Sequence, residues 1–178
     1  GRPVADAVVT VYPAAAYDKS RIRFAWPYRV SQRSMTFDPF VLVVPMGADV
    51  QFPNQDTVRH HVYSFSPAKT FELKLYGQDQ TRKVTFDKAG VVAVGCNIHD
   101  NMSAYIRVVD TPFAAKTVGG AAAVRDLPAG PATVTVWRPF LKAPDNEITQ
   151  RVVIPASGAL RLAMTADLRP SRLRRGAY

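Results

Sequence analysis

Cysteine is almost missing from this chain. Cys96 is the only one in 178 residues, so no intrachain disulfide can form, and the cysteine count assigns no compartment. Histidine is scarce as well, with three. Long apolar runs are absent: none approaches the roughly 20 residues that span a bilayer, which argues against an integral membrane protein. Acidic residues are few, 14 against 23 Lys and Arg, and the resulting charge of +9 favours encounter with anionic partners. Nucleic acid is not expected among them. The basic residues are scattered through strand-like segments and gather only in Arg169, Arg172, Arg174 and Arg175. A solvated basic tail over 169–178 is the simpler reading, one that could also dock on an acidic protein or an anionic membrane surface. The chain begins Gly1-Arg2-Pro3, without an initiator Met or a basic-then-apolar leader, which decides nothing about export.

What is present is enough for a packed core. Hydrophobic residues make up 47% and charged residues 21%, and the length suits one large or two small domains. Beta-branched and aromatic runs broken by Gly, Pro, Asn and Asp recur, with few stretches at helical period, which predicts an all-β chain. Val8-Val9-Thr10-Val11-Tyr12 reads as a strand ended by Pro13, and residues 14 to 34 as a long connection. Val41 to Val44 and Val50 to Phe52, around a turn at Pro45 to Asp49, read as a hairpin-like pair. Val62 to Phe65, Phe71 to Tyr76 and Lys83 to Phe86 are further strands. Val91 to Val94, apolar on both faces, is expected to be central and to deliver Gly95-Cys96 to one end of the sheet, from which Tyr105 to Val109 returns. Beyond Asp110-Thr111-Pro112, small residues mark a boundary. A second β unit is expected to open at Val124 and to include strands at Thr133 to Trp137, Ile148 to Ile154 and Leu160 to Met164.

Chemistry concentrates in Cys96-Asn97-Ile98-His99-Asp100-Asn101-Met102, which puts a thiolate, an imidazole and a thioether within seven residues on a strand-to-strand loop. A trigonal plane of two His and one Cys with a weak axial Met is the donor set of blue copper, so a second imidazole must come from His60 or His61. Adjacent strand residues face opposite sides, so both do not point at one metal. His60 is assigned on its alignment with Val62 and Phe65. His61 is left to support the site or to serve as the alternative ligand. A lone Cys-x-x-His is more often incidental than metal-binding. Zinc prefers closed Cys, His and carboxylate tetrahedra, and a cysteine nucleophile activated by histidine is a further competitor. Neither accounts for Met102.

These residues carry a family resemblance. Phe37-Asp38-Pro39, then Gly47 to Asp56, then His60, and later Gly90 to Met102, make the stretch from about Met35 to Val109 similar to a cupredoxin of the plastocyanin and amicyanin kind. The resemblance implies a Greek-key cupredoxin-like β-sandwich over 28–112 holding one mononuclear type 1 copper on His60, Cys96, His99 and Met102. Amicyanin-like loops are richer in Pro and apolar groups than one carrying Asn97, Asp100 and Asn101, and Asn commonly follows the upstream ligand where His61 stands here. Gly1 to Val9 together with Val124 to Trp137 resemble the two parts of a carboxypeptidase-regulatory-like β-sandwich. An accessory unit split between 1–27 and 113–178 is therefore expected. A rigidly held thiolate and two imidazoles suit one-electron transport, the family resemblance implies an exported, periplasmic bacterial setting, and the positive charge suits an acidic redox partner protein. With every coordination position filled by protein, no catalysis is expected. Copper trafficking or sensing is the first rival reading, and a non-redox β-sandwich binding module with a vestigial copper site the second.

Overall fold

Period-two alternation of apolar and polar residues shapes most of the strands in the computed structural model, which describes residues 2–20 and 22–170. In chain order the strands are β1 (Val8–Pro13), β2 (Ser31–Arg33), β3 (Thr36–Asp38), β4 (Val41–Pro45), β5 (Ala48–Pro53), β6 (His60–Ser66), β7 (Lys69–Tyr76), β8 (Thr81–Phe86), β9 (Gly90–Cys96), β10 (Ser103–Val109), β11 (Ala114–Lys116), β12 (Gly130–Trp137) and β13 (Glu147–Ile154). The only helical piece among the described residues is a single 3-10 turn at Pro144–Asn146. No helix among them is long and apolar enough to cross a membrane. The chain is all-β and divides into two compact units. Among the described residues one is Arg23–Asp110, and the other joins residues 2–20 and Ile22 with residues 111–170.

In the Arg23–Asp110 unit, a five-stranded sheet has the order β4-β10-β9-β6-β7, with β4 parallel to β10 and the other neighbours antiparallel. A second layer is built from the β5–β8 ladder, joined to the β2–β3 hairpin by a bridge between Gln32 and Asn54. The core lies between these layers. Val50, Phe52, Val84 and Phe86 pack in one cluster with Val62, Val92, Val94, Ala104 and Ile106. Phe52 and Phe86 are fully buried and both ring-pair with Phe71.

Two expectations are corrected in this unit. Val41–Val44 and Val50–Phe52 do not pair with each other. At the turn between them the Met46 amide donates to the Val109 carbonyl at 2.8 Å and the Gly47 amide to the Phe86 carbonyl at 2.7 Å, so each flank belongs to a different sheet. The residue pattern agrees, since β4 is buried along its whole length whereas β5 alternates. β9 is central as expected and carries apolar residues on both faces, but only one face is buried, against what that pattern implies: Val92 and Val94 are buried while Ala93 is exposed. At the start of β9, Gly90 has φ 145, and a Cβ there would lie 2.9 Å from Ala68 Cβ. Gly90→Ala is therefore expected to cost about 1–3 kcal/mol. The check is a lower urea midpoint at unchanged denaturant slope.

The other unit carries one four-stranded sheet in the order β11-β1-β12-β13. Val11, Phe113, Ala132, Val134 and Ile154 form its core, to which Tyr17, Val124, Leu127 and Met164 add partly buried side chains. Here too the periodicity misleads. No strand opens at Val124, and Leu160 to Met164 is not a strand although its apolar residues alternate. Leu160 and Leu162 stay exposed and only Met164 reaches the core, because alternation without a neighbouring ladder satisfies no backbone groups. The unit begins earlier, with β11 on the edge of β1. The Arg169 amide donates to the Phe140 carbonyl at 2.8 Å, while Arg172, Arg174 and Arg175 of the expected tail lie outside the described residues.

Candidate metal centre

Three inward-facing rows end at the same pole of the Arg23–Asp110 unit. On β9 the buried residues are Val92, Val94 and Cys96; on β10 they are Ala104, Ile106 and Val108, with Met102 one step before; on β6 they are His60, Val62 and Ser64. Val62 is the cross-strand partner of Cys96, and Tyr76 of β7 that of His60. The same alternation that fills the core thus places an imidazole, a thiol and a thioether at its end. The loop of residues 97–102 closes on itself: the Cys96 amide donates to the Met102 carbonyl at 3.2 Å, and Asn101 takes the left-handed conformation at φ 66, which Asn tolerates. Within that exposed loop His99 is half-buried.

The donor atoms converge. Cys96 Sγ lies 3.7 Å from His60 Nδ1 and 3.6 Å from His99 Nδ1, and all three donor atoms fall within 4.8 Å of one another. Metal–nitrogen bonds of about 2.0–2.1 Å and a metal–sulfur bond of about 2.3 Å, the values for zinc, give sulfur–nitrogen edges of roughly 3.6–3.8 Å around a shared ion. The spacing is that of a metal polygon. Among the described residues no carboxylate and no further His or Cys joins this group, so it is not the closed four-ligand tetrahedron of a structural zinc. Met102 is buried in the same core cluster as Cys96, and a soft thioether suits copper. The donor set fits one type 1 copper site.

The ring of His60 is fixed from behind. It is fully buried, and its Nε2 lies 2.7 Å from Asp56 Oδ2, which assigns the ring proton to Nε2 and leaves the lone pair on Nδ1, toward Cys96. Burial lowers the His60 pKa more than the Asp56 carboxylate raises it, so the ring is neutral near neutral pH, the form that binds a metal. Burial works against the Asp56 charge, but hydrogen bonds from the Met35 amide, from His60 and from the Ser34 amide outweigh it and hold the carboxyl below its usual range. Asn54, buried, secures this loop. Its Oδ1 accepts from the Asp56 amide at 2.8 Å, and its Nδ2 donates to the carbonyls of Val58 at 2.9 Å and Tyr76 at 3.1 Å.

His61 lies outside the converging group. Its Nε2 sits 2.8 Å from Glu72 Oε1, on the outer face of β6 and β7. Its carbonyl accepts from the Asn97 amide at 3.0 Å, so a main-chain bond joins the upstream histidine strand to the ligand loop without an Asn side chain. The residues that sequence reasoning missed are Asp56 and Gly95. An acid four residues before the histidine was the available signal for the first. The second is small because a Cβ there would meet the Tyr63 ring at 3.1 Å.

No protein-family model and no curated protein matches the chain. Among solved structures it is similar to a Cu-containing nitrite reductase from Thermus scotoductus SA-01, at 28% identity and a TM-score of 0.45 over 48% of this chain and 23% of that one. It is also similar to a purple cupredoxin from Nitrosopumilus maritimus, at 19% identity and a TM-score of 0.42 over 46% of this chain and 98% of that one. An amicyanin variant in its reduced Cu(I) form gives 20% identity and a TM-score of 0.43 over 57% of this chain and 98% of that one. The chain spans less than a quarter of the nitrite reductase.

Proposed function

We propose that this chain is a type 1 copper protein that carries or relays single electrons, and that His60, Cys96, His99 and Met102 would hold the copper. The observation that carries the reading is the convergence of the three donor atoms at the end of a rigid core. When bound, copper would supply a one-electron couple whose potential is tuned by the thioether of Met102 and by the groups around the Cys96 sulfur. The residues around the site hold the donors still and keep water out. His60 is 0% exposed, Met102 4% and Cys96 8%, so little rearrangement accompanies a change of charge at the centre. His99 is the ligand nearest the surface and offers the shortest way out. All four donors come from the protein, and a substrate finds no vacant coordination position among them.

The net charge of +9 suits an acidic redox partner met through a small, transient interface. Export to the periplasm fits this role, and the unit outside Arg23–Asp110 would be an accessory, carboxypeptidase-regulatory-like module. A copper-trafficking protein is the rival, and it requires that metal leave readily. Copper-loaded protein is expected to give the intense visible band and narrow EPR splitting of a copper–thiolate centre, with a reversible couple and fast self-exchange. Ready transfer of the metal to an apo acceptor would favour the rival. In the same spectra His60→Ala is expected to lose the band and His61→Ala to keep it. The opposite pattern would remove His60 from the ligand set.

A further inference from the structure

Asp56 does not act alone. Its carboxylate stands between the ring of His60 and the two-residue loop that joins β2 to β3, accepting from the Met35 amide at 3.0 Å and from the Ser34 amide, while Oδ2 lies 2.7 Å from His60 Nε2. The side chain is 11% exposed. Ser34 and Met35 both have positive φ, 52 and 54, a conformation that disfavours side chains with a Cβ and that two-residue hairpin loops normally assign to Asn-Gly or Gly-Gly. Neither residue is the natural choice for such a turn. What the turn achieves is to point two consecutive amides at one oxygen pair, a small anion-binding nest. The Met35 side chain is 57% exposed, so packing does not explain the conformation.

We infer that the left-handed Ser34-Met35 turn and Asp56 form one unit that positions His60 and sets the electron density on its ring, making Asp56 a positioning residue that tunes the redox potential of the metal held by His60. The inference rests on the copper reading above. The physical chain is short. Two amide donors hold Asp56 as a carboxylate, and the carboxylate draws on the Nε2 proton, so Nδ1 becomes a stronger donor, as a hydrogen-bonded carboxylate does to metal-bound histidines generally. A stronger donor favours the more highly charged oxidation state. Gln32 lies on β2 of the same hairpin, and its carbonyl accepts from the Gln55 amide at 2.9 Å, so the hairpin is tied to the Asp56 loop by main chain as well.

The test is the reduction potential of the copper-loaded wild type against Asp56→Asn, which keeps the shape and removes the charge. The variant is expected to remain blue, to bind Cu(II) about tenfold more weakly relative to Cu(I), and so to rise by about 59 mV. Asp56→Glu is expected to stay closer to the wild-type potential. A blue Asp56→Asn protein at the wild-type potential overturns the inference and leaves the copper site intact. A wild type that never turns blue overturns the copper reading itself. A second measurement does not depend on the variant folding: in the apoprotein, nitrogen NMR is expected to find the His60 proton on Nε2 in slow exchange, and a ring protonated on Nδ1 overturns the proposal. Ser34→Asn with Met35→Gly keeps both amides, and is expected to raise the urea midpoint while leaving the potential unchanged.

Discussion

Cys96→Ser abolishes the intense visible absorption of the copper-loaded protein and leaves a pale centre held by the two imidazoles. The expectation follows from what is unique in this chain: Cys96 is its only cysteine, so no other thiolate can rescue the band. His60 and His99 keep their places, because His60 is fixed by Asp56 and His99 belongs to a loop closed by the Cys96 amide, which the substitution retains. The pole that receives the hydroxyl is buried but already polar, with His60 Nδ1 3.7 Å from the sulfur, so the fold loses only about 1–2 kcal/mol. The informative pair of measurements is the spectrum and the urea midpoint of the apoprotein. A lost band with a nearly unchanged midpoint assigns the colour to the sulfur, whereas a variant that stays blue would exclude Cys96 as a ligand.

Phe52→Ala is expected to carry the largest loss of stability, about 3–5 kcal/mol. Phe52 is fully buried at the centre of the copper unit, with its ring 5.6 Å from that of Phe71 and its carbonyl accepting the Tyr76 hydroxyl at 3.0 Å. Truncation leaves a cavity between the two layers, and a domain stable by about 5–15 kcal/mol has little margin for it. Copper binds the folded form, so it stabilises wild type and variant alike, and because the donors are at the end of this same core the cavity is expected to weaken its binding. A ligand present at a thousand times its dissociation constant contributes about 4 kcal/mol. The apo variant is expected to unfold at far lower urea than the wild type, and copper to raise both midpoints, the variant's by less, because a loosened core holds the donors less well and weakens binding. An equal gap with and without metal would separate the site energetically from the core beneath it.

The site was easier to read in the sequence than the sheets around it. Cys96, His99 and Met102 are neighbours in the chain, so their chemistry shows in a single stretch, and His60 is distinguished from His61 by sharing a face with buried Val62, whereas Phe65, on which the assignment also leaned, is exposed on the opposite face. Sheet membership is a matter of partners far away in sequence. Val41–Val44 and Val50–Phe52 flank a good turn, yet the turn carries the chain from one layer to the other, since β4 has its partner in β10 and β5 in β8. Leu160, Leu162 and Met164 alternate as a strand does, but they find no neighbour to complete a ladder. The β2–β3 hairpin gave no warning at all, because its turn uses Ser34 and Met35 where Asn and Gly would announce it. Asp56 closes the Gly47 to Asp56 segment that carried the family resemblance, but its task went unread because it depends on amides from that unannounced turn.

The coincidence of the core rows with the ligand rows has a consequence for how the protein matures. Sliding β9 by a single residue against its neighbours would swap its faces, turning Cys96 outward and bringing Gly95 or Asn97 to the pole. The same slip in β6 would present His61 in place of His60, without Asp56 behind it. A chain with misaligned strands is therefore unable to assemble the donor set, even if its secondary structure content is normal. On the proposed copper reading, the blue colour of the loaded protein would therefore report, visibly by eye, whether β6 and β9 are in their proper register.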